Sequence, residues 1–221
     1  MSRVQSRPKA VPTEKKEEPK VIFNAPYTYV QSYTQLGAAV RVLSRSPYLV
    51  IDCEGCNLGM RDGKLSLLSI GTAQARGLFV IDALRIKDKE EPSVVALIAL
   101  LANADIPKIM WDGRGDFTEV YGHYGVAMQG IWDLQVAEVA TRPLRNETDS
   151  QRIGRIVNRT QFQWKEVKRE KQSGLFDDIH LIDGLGSIVS QYKLGQNLAK
   201  DCRSSDIIAF KSYISLLPPY S

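Results

Sequence analysis

Two acidic residues spaced two apart, Asp52 and Glu54, directly follow a short apolar run at residues 48–51. The β-branched and apolar residues of the run predict a buried strand. Alternate strand residues point to the same face, so we expect the two carboxylates to lie side by side. Neighbouring carboxylates repel each other and lose hydration, a cost that a cation offsets, and oxygen-rich clusters suit Mg²⁺ or Mn²⁺. The alternative is a pair of solvent-exposed acids at a strand end, because an isolated Asp-x-Glu often arises by chance.

Two further acids, Asp116 and Asp133, stand where predicted strands give way to helices. Asp is also a favoured helix N-cap, so capping of backbone N–H groups explains either residue taken alone. Taken together, four acids at the ends of core elements are better explained by a site that requires them.

The elements that would position these acids predict an α/β domain. The sequence predicts an amphipathic helix before residue 44, then three consecutive strands, followed by alternating helices and strands. The strands are expected at residues 48–51, 65–70, 78–81, 106–111 and within 126–132, and the helices at 94–102, 116–124 and 133–141. This order predicts a mixed central sheet flanked by helices.

The ends of the chain differ in composition from this centre. Residues 1–25 are rich in proline and basic side chains and poor in large apolar ones, which predicts a disordered basic tail. We expect one domain over residues 26–200, with a basic and less regular insertion at about 142–180 and a helix over 181–194. Residues 201–221 give a weak signal and are expected to be an atypical or truncated segment.

The motifs resemble those of the DEDD superfamily of 3′–5′ exonucleases, of the ribonuclease D type, and more closely fungal and plant 3′–5′ exonuclease domain proteins. Residues 48–55 resemble the first exonuclease motif, and residues 65–71 and 78–82 the central strands. Residues 108–117 resemble the second motif, in which the closing acid, Asp116 and not Asp112, is the metal ligand. Residues 131–137 look like the Asp-Thr-Gln element that follows. The match spans about residues 35–141.

This resemblance implies a ribonuclease H-like fold and two-metal hydrolysis of the single-stranded 3′ end of RNA or DNA. One Mg²⁺ or Mn²⁺ ion would deprotonate and aim a water, and the second would stabilise the leaving 3′-oxygen. The family assigns metal bridging to Asp52 and orientation of the nucleophile to Glu54. Asp116 would add to the coordination shell, with Asp133 close by, so all four acids, Asp52, Glu54, Asp116 and Asp133, are expected to be metal-binding and catalytic residues.

The third motif of the family, Tyr-x-x-x-Asp or His-x-x-x-x-Asp, has no intact counterpart. Asp206 lies at a plausible distance along the chain, but Cys202 occupies the position four before it and can neither hold nor activate a water as tyrosine does. His180 and Asp183 have the wrong spacing. Two hypotheses follow: an active exonuclease, or a catalytically inactive exonuclease-fold protein that binds nucleic acid or a protein partner.

Three arginines, Arg152, Arg155 and Arg159, follow a helical spacing, with Phe162 and Trp164 nearby. Such a stripe can track phosphates while the aromatic rings stack on bases, so we predict nucleic-acid binding here. The alternative is a solvated helical face or a flexible insertion whose tryptophan packs on the core.

A Cys-x-x-Cys pair, Cys53 and Cys56, suggests a rival class, the thiol redox proteins. Against it, Cys53 should point away from Asp52 and Glu54, and no second pair completes a zinc site. The odd cysteine count and the absence of an apolar run long enough for a membrane helix predict an intracellular protein, nuclear or cytoplasmic, with no membrane partner.

Overall fold

The structure is a computed structural model that describes residues 26–161, 163–171, 174, 176–177 and 179–192. The predictions for the basic tail at 1–25, for the segment 201–221, and for Asp206 with Cys202 lie outside the described residues.

A six-stranded mixed sheet forms the centre of the domain, in the order β1-β4-β3-β2-β5-β6. Strands β2, β3 and β4 are consecutive and antiparallel, while β5 and β6 run parallel to β2, and β1 runs parallel to β4. Their bounds are β1 Thr28–Val30, β2 Leu49–Cys56, β3 Lys64–Thr72, β4 Leu78–Asp82, β5 Lys108–Met110 and β6 Ile131–Asp133. The predicted α/β fold with a mixed sheet is confirmed. Strand β1 was not predicted, because only one of its three residues, Val30, is buried and the strand therefore contributes no apolar run to the sequence.

Seven α-helices accompany the sheet within the described residues. They are α1 Tyr33–Leu43, α2 Pro92–Ala102, α3 Arg114–Tyr124, α4 Leu134–Thr141, α5 Asp149–Arg159, α6 Trp164–Lys171 and α7 Leu185–Gln191. The region 142–180 is more regular than predicted, because it contains α5 and α6. Helix α5 begins with a capping box formed by Thr148 and Gln151, a signal that was present in the sequence and was not used. The helix predicted over 181–194 starts later, at Leu185.

The alternation of β2 separates two apolar clusters. Leu49, Ile51 and Cys53 belong to the main core, which also buries residues of α1, α2 and α3. Tyr48 and Val50 pack against a second cluster, to which α4 and α7 contribute. Asp52 and Glu54 continue the Tyr48 and Val50 row, since alternate residues share a face.

Across the residues that the structure describes, no helix combines the length and the apolar character that a membrane span requires.

Candidate functional site

The parallel strands bring acidic residues together at one end of the sheet, where β5 and β6 have their carboxyl ends. Val50 of β2 pairs with Ile109 of β5, and Met110 of β5 pairs with Asp133 of β6. Asp52 is the fourth of the eight residues of β2 and lies just beyond the part that pairs with β5, next to the carboxyl ends of β5 and β6. Helix α3, which holds Asp116, starts four residues after β5 ends. The topology thus gathers residues that are far apart in the sequence.

Asp116 lies at the centre of this acidic group. It is the third residue of α3 and only 9% exposed. Burial, and to a lesser extent the negative charges of Asp52, Asp112, Glu54 and Asp133, raise the pKa of its carboxyl from the ordinary value of 3.8 to about 7. The four acids predicted from the sequence are therefore electrostatic neighbours, together with Asp112.

The donors of this group fit a divalent cation chemically, because every candidate ligand is a carboxylate oxygen, the donor that Mg²⁺ and Mn²⁺ favour. The strong mutual repulsion at Asp116 is also what a cation would relieve. However, among the described residues no three Asp, Glu, His or Cys side chains are arranged so that they could hold a metal ion. Cation binding by these acids therefore requires side-chain rearrangement, and their assignment as ligands stays a prediction.

Asp133 has a second role, which the alternative interpretation anticipated. It is the N-cap of α4, and its Oδ1 accepts hydrogen bonds from the backbone N–H groups of Gln135 at 2.9 Å and Val136 at 3.4 Å. Its carboxylate also accepts the backbone N–H groups of Asp112 and Gly113, each at 3.2 Å. Both of its oxygens are thus engaged with backbone, which favours a positioning role over direct coordination.

Asp116, in contrast, is not a helix cap. The N-cap of α3 is Gly113, and no side chain caps that end of the helix. Capping therefore does not explain why a carboxylate is buried at this position.

The turn between β5 and α3 is strained at Asp112, which has a positive φ of 52°. This left-handed conformation is unfavourable for a residue other than glycine. The Asp133 carboxylate accepts the backbone N–H of Asp112 in this turn, and the Arg114 guanidinium contacts the Asp112 carboxylate at 2.7 Å. The resemblance excluded Asp112 as a ligand, but the structure places it at the same acidic end of the sheet.

A cleft with a volume of about 330 Å³ opens beside these acids. One part of its lining comes from Asp52 of β2 and from the two residues that follow β5, Trp111 and Asp112. The other part comes from Gln135 and from the segment Gly184, Leu185 and Gly186 at the start of α7, which we call the glycine wall. This polar cleft is the natural place for a small substrate group next to the carboxylates.

Glu119 is a further buried acid, one turn beyond Asp116 in α3, that sequence reasoning missed. Its Oε1 accepts the backbone N–H of Gly59 at 2.9 Å, which ties the β2–β3 turn to α3. A Cβ at Gly63 would overlap the same oxygen and would also lie 2.8 Å from the backbone oxygen of Asn57, so any larger residue requires both groups to shift. No periodic signal marked Glu119, because its partner lies 60 positions away.

The three arginines predicted to bind nucleic acid all make intramolecular contacts. Arg155 contacts Glu147 at 2.7 Å and Asp183 at 3.0 Å, and Arg159 also pairs with Asp183. Arg152 pairs with Asp149 and donates to the backbone carbonyl of Ile179 at 2.9 Å. These contacts give the stripe a scaffold role, and phosphate binding by it stays a prediction.

The cysteine pair does not have the properties of a redox site. Cys53 is buried and Cys56 is exposed, and both are free thiols. Burial raises the pKa of Cys53 well above its ordinary value, and the charges of Asp116 and Asp52 add to the effect. Reactive thiols have lowered pKa values, so the structure disfavours the redox hypothesis.

Comparisons with known proteins agree with this architecture. A sequence profile described as 3′–5′ exonuclease matches residues 27–154. Among solved structures, the exonuclease domain of Aedes aegypti Nibbler has a TM-score of 0.52 at 15% identity, covering 90% of this chain and 84% of that one. RNase D of Trypanosoma brucei has a TM-score of 0.49 at 18% identity, covering 87% and 62%. RNase D of Escherichia coli has a TM-score of 0.48 at 18% identity, covering 86% and 42%. A search of curated proteins gave no match.

The fold is thus the ribonuclease H-like α/β fold of the DEDD 3′–5′ exonucleases. Since the profile match extends over more than half of its length, the chain belongs to the 3′–5′ exonuclease family. It spans 62% of this T. brucei RNase D structure and 42% of the E. coli one.

Proposed function

We propose that this protein is a divalent-metal-dependent 3′–5′ exonuclease that removes nucleotides from the 3′ end of single-stranded RNA or DNA. The observation that carries the proposal is the convergence of Asp52, Glu54 and Asp116 beside the cleft, with Asp116 buried among like charges. A protein retains such an unfavourable arrangement where a function requires it.

In this proposal Asp52, Glu54 and Asp116 hold two Mg²⁺ or Mn²⁺ ions. Bound divalent cations supply activation of a water and stabilisation of the leaving 3′-oxygen. Asp133 acts indirectly, since its hydrogen bonds to Asp112 and Gly113 fix the turn that precedes Asp116. The family membership supports nuclease chemistry at this site.

The cleft would receive the terminal nucleotide. Its volume of about 330 Å³ is at the lower end of the range for small-molecule sites, so it has room for one nucleotide of a nucleic-acid strand. Because Asp52 lines the cleft, a nucleotide bound there would have its scissile phosphodiester next to the proposed ligands.

A second candidate is a catalytically inactive exonuclease fold that binds nucleic acid or a protein partner. One observation favours it: in the described part of the chain the acids are not arranged as a ready metal site. The two candidates differ in turnover, and a single experiment separates them.

The experiment incubates the purified chain with 5′-labelled single-stranded RNA or DNA and Mg²⁺ or Mn²⁺. We expect stepwise shortening from the 3′ end, abolished by EDTA, by Asp52→Asn and by Asp116→Asn. Asp105→Asn is the matched control, because Asp105 is an exposed acid in the turn before β5, at the opposite end of that strand. Binding without turnover in both metals, unaffected by Asp52→Asn, would support the inactive candidate instead.

A further inference from the structure

The chain segment next to the glycine wall contains a buried carboxylate, Asp183. Asp183 is 1% exposed, and it immediately precedes the glycine wall. Its carboxylate accepts hydrogen bonds from Arg142 and Arg155, each at 3.0 Å, and from Arg159. A buried carboxylate is tolerated only when cations and donors compensate its charge, and three guanidinium groups do so here.

Arg142 connects this carboxylate to α4. It is 1% exposed, and it forms a bidentate pair with Glu138, with an Nη2 to Oε2 distance of 2.6 Å. Its Nη1 donates to the backbone carbonyl of Leu181 at 2.8 Å. Planar, multidentate arginine contacts of this kind fix orientation as well as distance.

The remaining contacts fasten the same segment to α5 and to the cleft. Arg155 and Arg159 are residues of α5, so Asp183 joins that helix to the chain segment before α7. Gln135, which lines the cleft, donates from Nε2 to the backbone carbonyl of Asp183 at 3.1 Å. Asp183 is thus held by two helices, by α4 and its C-cap through Gln135 and Arg142, and by α5 through Arg155 and Arg159.

The glycine wall follows from this anchor. Leu185 packs in the second apolar cluster with Ile109 and Leu134, and Trp111 packs against that cluster. Gly184 and Gly186 therefore present backbone to the cleft that Asp52 also lines.

We propose that Asp183 is a positioning residue, which holds the glycine wall at the distance from Asp52 that the terminal nucleotide requires. This proposal rests on the proposed function for its kinetic part. The ion pairs of Asp183 are made with arginines and do not include the proposed ligands. Loss of the ion pairs of Asp183 should therefore weaken binding of the nucleotide and leave cation binding intact.

The first measurement does not require activity. Trp111 lines the cleft, so in a Trp132→Phe/Trp164→Phe background its fluorescence reports on the wall. We expect Asp183→Asn to increase acrylamide quenching of Trp111 at least twofold. Arg145→Gln is the matched control, because Arg145 pairs with Glu138 in the same network, whereas the arginines that contact Asp183 are Arg142, Arg155 and Arg159. Quenching of Trp111 in this variant should equal that in the parent protein.

The second measurement is kinetic. For Asp183→Asn we expect KM for a single-stranded oligonucleotide to rise about tenfold, with the Mn²⁺ titration midpoint unchanged within twofold. Arg159→Gln is the milder variant if Asp183→Asn does not fold, since Arg142 and Arg155 still compensate Asp183. It should show the same pattern, reduced in size, in both measurements.

The outcomes separate this proposal from the proposed function. The positioning role would be overturned by unchanged quenching in the Asp183 and Arg159 variants. It would also be overturned if Arg145→Gln increased quenching as much as Asp183→Asn does, or if quenching increased while KM stayed unchanged. Weaker oligonucleotide binding by Arg159→Gln without a change in quenching would overturn it in favour of direct phosphate contact. A wild-type protein without nuclease activity would refute the proposed function, and the quenching measurement would still decide whether Asp183 holds the wall.

Discussion

Asp133 Oδ1 accepts the backbone N–H of Asp112 at 3.2 Å, so the last residue of β6 fixes the strained turn that follows β5. The same carboxylate caps α4. One side chain thereby sets the relative positions of two strand ends and a helix. Because Asp116 is the third residue of α3, which starts just beyond that turn, the placement of the buried acid depends on Asp133.

The first prediction concerns this carboxylate. Asp133→Ala should lower the free energy of unfolding by about 1–3 kcal/mol, because it removes a helix cap and leaves the N–H groups of the turn unsatisfied. Asp133→Asn should retain most of the stability, since asparagine caps helices about as well as aspartate. Urea denaturation followed by circular dichroism measures both. Equal losses for the two variants would show that capping geometry is not what Asp133 provides.

The second prediction concerns pH. The pKa of Asp116 is about 7 in the folded protein against an ordinary 3.8, chiefly because of burial. Between about pH 4 and pH 7 the folded protein therefore keeps a proton that the unfolded chain has released, so stability falls as pH rises through this window. The full difference corresponds to about 4 kcal/mol.

Thermal melts in EDTA at pH 5 and pH 8 measure this effect. The difference between the melting temperatures at pH 5 and at pH 8 should favour pH 5 more strongly in the wild type than in Asp116→Asn, in which only the other titratable groups contribute. Asp116→Asn should flatten the dependence and be more stable than the wild type at pH 8, whereas the exposed-site control Asp105→Asn should behave as the wild type. An unchanged pH profile in Asp116→Asn would contradict the burial of a repelled carboxylate.

The third prediction concerns cations. If divalent ions relieve the repulsion among Asp52, Glu54 and Asp116, then Mn²⁺ or Mg²⁺ should raise the melting temperature at pH 8. A concentration of 100 times the Kd corresponds to about 2.7 kcal/mol of stabilisation. The effect should be smaller at pH 5, where protonated Asp116 does not bind a cation, and absent in Asp52→Asn. Equal stabilisation of the wild type and Asp52→Asn would place the bound ion elsewhere.

The fourth prediction concerns the β2–β3 turn. Gly63→Ala should destabilise the protein by about 1–3 kcal/mol, because the added methyl group overlaps Glu119 Oε1. In Gly63→Ala/Glu119→Ala the loss should be less than the sum of the two single losses, since removing the Glu119 side chain makes room for the methyl group. A double-mutant cycle by urea denaturation measures the coupling, and strict additivity would show that the two residues do not compete for the same space.

The sequence predicted those parts of the domain that depend on local patterns. The alternation of residues in β2 predicted that Asp52 and Glu54 share a face, and the apolar runs predicted the consecutive strands and most helices. Contacts between distant residues left no such pattern. Arg155 and Asp183 are 28 positions apart, so the three arginines resembled a free basic stripe, while in the structure they compensate a buried acid.

The role of Asp133 shows the same limit in another form. Its residue type and position fitted both a metal ligand and a helix cap. Only the geometry shows that four backbone N–H groups already occupy its oxygens. Glu119 was missed because its partner is a backbone amide in a turn, which no side-chain pattern reveals.

The most direct test of the account is a crystal structure of the wild-type protein grown with Mn²⁺ and a nucleoside monophosphate, with anomalous data collected for manganese. We expect anomalous peaks within coordination distance of Asp52, Glu54 and Asp116, at the mouth of the cleft, and loss of those peaks in Asp52→Asn. Ordered manganese at another place, or these three carboxylates without a metal ion at saturating Mn²⁺, would contradict it.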